Sequence, residues 1–142
     1  MVVLVAVDRD QDSTEIVKEG KRLADAFDES LQVAHVLSRA ELRDLERTSF
    51  DETGEAVEMN RVEELAADIA REQSEAVAPE AQPVGLVGEP AEEIVTHASD
   101  EDAMYIVLGG RQTSSVGKVI FGSVTQSVLL SAGRPVVTIL QE

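Results

Sequence analysis

The chain has 142 residues, 43% of them hydrophobic, enough to bury one core of ordinary domain size and too few for two, so a single domain over 1–142 is expected. It holds no cysteine and two histidines, His35 and His97, which excludes disulfides, thiolate metal sites and a cysteine nucleophile and argues against zinc. The net charge of −16 is unevenly spread: Ala103 to Gln141 contains no Asp or Glu but carries Arg111, Lys118 and Arg134, a local +3 that leaves −19 on the remainder. Such an acidic surface repels nucleic acid, so no DNA or RNA partner is expected. It suits a high-salt cytoplasm, where screening relieves self-repulsion, and an ordinary acidic bacterial protein is the alternative.

The N-terminal run Met1 to Asp8 has no basic flank and is far shorter than the roughly 20 apolar residues of a membrane span, so a cytoplasmic protein without a membrane partner is expected. Val2 to Val7 is apolar and β-branched, the pattern of a strand covered on both faces. Asp12 with Glu15 has the spacing of a capping box, and Ile16, Gly20, Leu23, Ala24 and Phe27 share one helical face, which predicts a helix from about 13 to 28. Leu31 to Leu37 is a second strand. After a polar stretch from Ser38 to Thr53, the stripe Val62, Leu65, Ala66, Ile69, Ala70 and Val77 marks a long helix that Pro79 and Pro83 bring to an end.

Val84 to Val87 makes a third strand, and Gly88-Glu89-Pro90 opens a helix with proline in its first turn, where the missing N–H costs nothing. Ala91, Ile94, Val95 and Ala98 form its buried stripe. Met104 to Leu108 is a fourth strand running into Gly109-Gly110. Helical spacing returns from Ser123 to Ser131, Gly133 and Pro135 close it, and Val136 to Leu140 is the last strand. Strands alternating with helical crossovers give an α/β fold, a parallel sheet with helices on both faces. The ligand crevice of such a doubly wound sheet lies beyond the carboxyl ends of the strands, where the strand order reverses.

The segment from Gly109 to Ser123 carries the most chemistry. Adjacent glycines at a strand end let an anion approach backbone N–H groups, and Gly122-Ser123 opens a helix whose free N–H groups and dipole favour negative charge. A plain tight turn followed by a plain helix cap explains the same residues. Other phosphate motifs do not fit: a P-loop placed on Gly117-Lys118 would need glycine at Gln112 and Ser or Thr at Val119, and no GxGxxG occurs. Asp8-Arg-Asp10-Gln-Asp12 with Glu19 superficially matches a calcium loop, but Ser13 replaces its glycine and a strand precedes it. Magnesium held by Asp8 and nucleotide phosphates suits the residues better. His35, in a covered strand, reads as a hydrogen-bonded core residue, and His97 as solvated. No nucleophile and base can be paired.

With Gly109 followed by Gly122-Ser123 at the distance of G-2x-G-9x-G(S/T), the chain resembles the universal stress protein family. The likeness extends to Val-Ala-Val-Asp8, His35-Val36, Gly88-Glu89-Pro90-Ala-Glu-Glu-Ile94-Val95 and Arg134-Pro135-Val136-Val137. The resemblance implies a five-stranded parallel sheet of order 3-2-1-4-5. It also implies ATP binding, with Asp8 and Val36 near adenine and ribose, Val36 through its backbone, and Gly109, Gly122, Ser123 and Val124 along the phosphates. Gln112 stands where the family has its middle glycine, and Gly110 and Arg111 are the residues able to compensate. The resemblance further implies a homodimer, and the apolar strand 136–140, at the sheet edge in that order, is the expected contact. Two functions fit: a nucleotide-binding protein of the stress response, at most a slow ATP hydrolase or self-kinase, or an interaction module of the same fold whose ATP site is weakened by Gln112.

Overall fold

The protein was analysed as a computed structural model, which describes residues 1–53, 59–110 and 121–140. Strands β1 (Val2–Ala6), β2 (Ser30–Leu37), β3 (Gln82–Val87), β4 (Ala103–Gly110) and β5 (Val136–Leu140) alternate with helices α1 (Thr14–Phe27), α2 (Arg39–Thr53), α3 (Met59–Ser74), α4 (Pro90–Asp100) and α5 (Ser123–Ser131). The strands pair in parallel in the order β3-β2-β1-β4-β5, the order that the resemblance implies. Among the described residues no helix is long and apolar enough to cross a membrane.

The alternation of the strand backbone builds two cores from one sheet. Val3, Val5 and Val7 turn to one face, against Ile16, Val17 and Ala24 of α1 and Ala70 of α3. Leu4 turns to the other, with Ile106 and Leu108 of β4, against Ala91, Ile94 and Ala98 of α4 and Val128 of α5. Val3, Leu4, Val5, Val33, Ile106 and Val107 are fully buried, each contributing roughly 1.5–3 kcal/mol through removal from water. This continuous burial on both faces is why the strands are unbroken apolar runs. The chain winds outward from β1 to β3, then α4 carries it back across β1 to β4. The carboxyl ends of β1 and β4 therefore diverge and leave a crevice.

Four local expectations are corrected. The polar stretch from Ser38 is helix α2: Leu42 and Leu45 pack it against Leu37 and Val62, and the Ser38 hydroxyl accepts the Glu41 N–H at 3.3 Å. Two apolar contacts are too sparse a stripe to show in the pattern. The capping box at Asp12 does not form. Asp12 instead accepts the Thr14 hydroxyl at 2.6 Å and its N–H at 3.0 Å, Ser13 takes the N-cap, and those two bonds hold the Asp12 carboxyl below the usual range. His97 is half-buried and bonded, where a solvated ring was expected. Its Nε2 lies 2.8 Å from Oε1 of Gln32, an amide buried in β2 that needs partners. Finally, Gly109 and Gly110 are no turn: they are the last two residues of β4, paired with Ile139 and Leu140, and neither has a positive φ.

The glycine at 85 is set by close approach of α3 to edge strand β3. A Cβ there would land on the Glu63 carbonyl and lie 2.6 Å from the Ala67 nitrogen, both backbone atoms that cannot swing aside. Gly85→Ala is expected to cost about 1–3 kcal/mol in urea unfolding, and unchanged stability would contradict this packing.

Candidate functional site

The crevice between the ends of β1 and β4 encloses about 200 Å³. Asp8, Val36, Gly109, Gly122, Ser123 and Val124 all line it, which brings together residues spread over more than a hundred positions of sequence. Gly110 does not reach it: a Cβ on Gly110 would point at Leu140 and Thr138, at 2.7 and 2.9 Å, on the β5 side. Arg111 and Gln112 lie outside the described residues.

Each wall has its own local cause. The β1–β2 register ends at Ala6 and Ala34, with one more backbone bond from Val7 N–H to Ala34 C=O at 2.9 Å. In a parallel ladder both backbone groups of a residue face the same neighbour, and alternate residues share that neighbour. Val36, two residues beyond Ala34, therefore directs its N–H and C=O to the side that β1 has vacated. Asp8 follows at the exit of β1, where its Oδ1 accepts the Asp10 N–H at 3.1 Å.

On the opposite wall α5 starts at Ser123, after Gly122 in an extended conformation that makes no side-chain cap. The Gln126 N–H bonds the Gly122 carbonyl at 3.0 Å, so the N–H groups of Ser123, Val124 and Thr125 precede the first helical bond. No acid stands in that first turn, and the helix dipole adds partial positive charge. The Thr125 hydroxyl donates to the Gly109 carbonyl at 3.0 Å and fixes this end of α5 onto β4. Gly109 lies close to α1: a Cβ would sit 2.7 Å from Ile16 Cδ1, the movable end of a side chain. The glycine thus stands in a packed strand beside the crevice instead of a sharp turn.

The two ends of the crevice differ in sign. Asp8 and Glu41 bring carboxylates to the β1–β2 end, whereas the α5 end offers N–H groups and the Ser123 hydroxyl. An anion is favoured only at α5, and the β1–β2 end suits a neutral group carrying donors and an acceptor. For a cation, Asp8 supplies one carboxylate, and no cluster of three His, Cys, Asp or Glu residues able to hold a metal occurs among the described residues. His35 is buried and bonded at both ring nitrogens, 3.0 Å from the Val7 carbonyl and 3.2 Å from Glu41 Oε2, as a core histidine should be.

Sequence reasoning missed Thr125, Glu41 and Ile16 as crevice residues. Thr125 stands one position beyond the motif residues, where a helix start already implied a third free N–H. Glu41 completes Ser38-x-x-Glu41, a helix-start spacing that lay in the stretch read only as polar. Nothing in the sequence alone brings Ile16 beside Gly109.

Comparison with known proteins agrees with this architecture. The profile of the universal stress protein family matches residues 1–139. A universal stress protein of Mycolicibacterium smegmatis is 40% identical over 58 residues, which are 41% of this chain and 43% of that protein, so the match spans less than half of the relative's length. Among solved structures, a universal stress protein from Archaeoglobus fulgidus superposes with a TM-score of 0.61 at 30% identity, covering 98% of both chains. The universal stress protein from Archaeoglobus fulgidus in complex with dAMP superposes with a TM-score of 0.57 at 26% identity, covering 98% of this chain and 97% of the other.

Proposed function

The chain belongs to the universal stress protein family, and on that footing we propose that it is a cytoplasmic, nucleotide-binding protein of the stress response that takes an adenine nucleotide, AMP or ATP, in the crevice between β1 and β4. The observation that carries this reading is the polarity of the crevice. Backbone donor and acceptor groups of Val36 suit a base edge, the Asp8 carboxylate suits ribose hydroxyls, and the uncapped start of α5 suits a phosphate. The volume of about 200 Å³ is small beside the roughly 300 Å³ at which typical small-molecule sites begin, and fits a base and ribose with the phosphates directed outward past Ser123. The dAMP complex of the Archaeoglobus fulgidus relative supports the same class of ligand. Gly109, Gly122, Ser123 and Val124 form the phosphate side in this reading. Mg²⁺, which usually binds through one or two carboxylates plus phosphate oxygens, would be held by Asp8 and the nucleotide.

Calorimetric titration of the full chain with AMP and with ATP plus Mg²⁺ tests the reading. Binding is expected, Ser123→Ala should weaken it roughly tenfold through loss of one hydroxyl donor to a charged group, and Ser123→Glu should abolish it by putting a carboxylate where the phosphate sits. Absence of binding, or affinity indifferent to both substitutions, would leave the ligand-free interaction module as the better account.

The same reading assigns subunit contact to β5. It is an edge strand whose apolar run ends at a half-exposed Leu140, and Leu129 and Leu130 of α5 are exposed as well. Pairing with β5 of a second copy removes an edge that would otherwise template aggregation. Light scattering at micromolar concentration is expected to give the dimer mass, and a monomer would contradict the assignment.

A further inference from the structure

His35 is 3% exposed, and both its ring nitrogens have partners. Nδ1 lies 3.0 Å from the Val7 carbonyl, which can only accept, so Nδ1 carries a hydrogen. Nε2 lies 3.2 Å from Oε2 of Glu41, so a proton lies between them, on the ring or on the acid. With Glu41 ionised, neither neutral tautomer satisfies both contacts: one sets a ring lone pair against the carbonyl, the other sets it against the carboxylate. The geometry suits an imidazolium clasped between a backbone carbonyl and an acid.

Glu41 gives up another role to make this contact. It stands at the third position after Ser38, and its N–H already bonds the Ser38 hydroxyl at 3.3 Å, the first half of a capping box. In that motif the carboxylate returns to the N-cap N–H. Here it turns to the crevice wall and meets His35 instead, although its side chain is 26% exposed and has water as an alternative.

The Val7 carbonyl is also the next rung of the β1–β2 ladder. After Val7 N–H to Ala34 C=O, a continuing parallel ladder would bond Val36 N–H to Val7 C=O. His35 holds that carbonyl, and no rung from Val36 to Val7 occurs among the described residues. Of the other elements facing the crevice, the exit of β1 adds the Asp8 carboxylate, while α4 and α5 contribute only uncharged side chains. Glu41 is the carboxylate in contact with the ring.

We propose that Glu41 is a positioning residue acting through His35: it holds the ring as an imidazolium on the Val7 carbonyl, ends the β1–β2 ladder one rung early, and leaves the Val36 N–H and C=O turned together toward the base. This rests on the nucleotide reading above and names the groups that select the base. Adenine offers an acceptor at N1 beside a donor amino group and complements that pair, whereas guanine offers a donor at N1 beside an acceptor at O6.

Two measurements on the full chain test it. Nitrogen-15 NMR of the histidine rings at neutral pH should show both His35 nitrogens protonated in the wild type and a single ring proton in Glu41→Gln, which keeps the shape and removes the charge. Titration with AMP and with ribose 5-phosphate should show an AMP affinity reduced about three- to tenfold in Glu41→Gln and a ribose 5-phosphate affinity unchanged. A neutral His35 in the wild type would overturn the proposal, as would wild-type AMP affinity in the variant or an equal loss for both ligands. Should the variant fail to fold, the wild-type spectrum still decides the charge state. A doubly protonated His35 in a wild type that binds no AMP would support the clasp while refuting the nucleotide reading.

Discussion

Everything at the crevice depends on β1 being buried on both faces while its neighbours carry the chain away in opposite directions. Val3 and Val5 on one side and Leu4 on the other leave β1 no freedom to slip, because a one-residue shift would turn each of them to the wrong core. With β1 fixed, β2 and β4 are fixed on its two flanks, and the α4 crossover must pass over it. The crevice is thus a product of winding order, present whatever side chains line it, and the lining residues only choose its chemistry.

That choice is a division of charge across a short distance. Acids collect where the chain leaves β1 and enters α2, and they are absent from β4 to the end of β5, where helix α5 begins uncapped. In a chain of net charge −16, an acid-free corner is the one place where a phosphate meets little repulsion. The uneven charge visible in the sequence and the polarity of the crevice are therefore one property seen at two scales.

Both cores were legible in advance because they rest on unbroken apolar runs and helical stripes, patterns that burial enforces, whereas the sheet order and most of the crevice followed from the family resemblance. The elements hidden from the sequence are those stabilised by few contacts or by chance neighbours. Helix α2 leans on Leu42 and Leu45, too few to register as a stripe. The strand ending at Gly109-Gly110 looked like a turn because glycine serves both purposes, and only the pairing with β5 and the nearness of Ile16 show that the two residues stand in a packed strand. His35 could be read as a bonded core histidine, but its partner Glu41 depended on a helix that the pattern did not reveal. Local capping at Asp12 was decided by a threonine two residues on that competes well with the more distant Glu15.

In the proposed reading the backbone supplies most of the ligand contacts, from a strand that outlasts its neighbour on one side and a helix that starts without a side-chain cap on the other. The measurement that bears most directly on it is a crystal structure of the full chain grown with AMP. The account predicts adenine against the Val36 backbone and the phosphate on the N–H groups of Ser123 to Thr125. A nucleotide bound elsewhere, or one lying in the crevice with its phosphate toward Asp8 and Glu41, would contradict it.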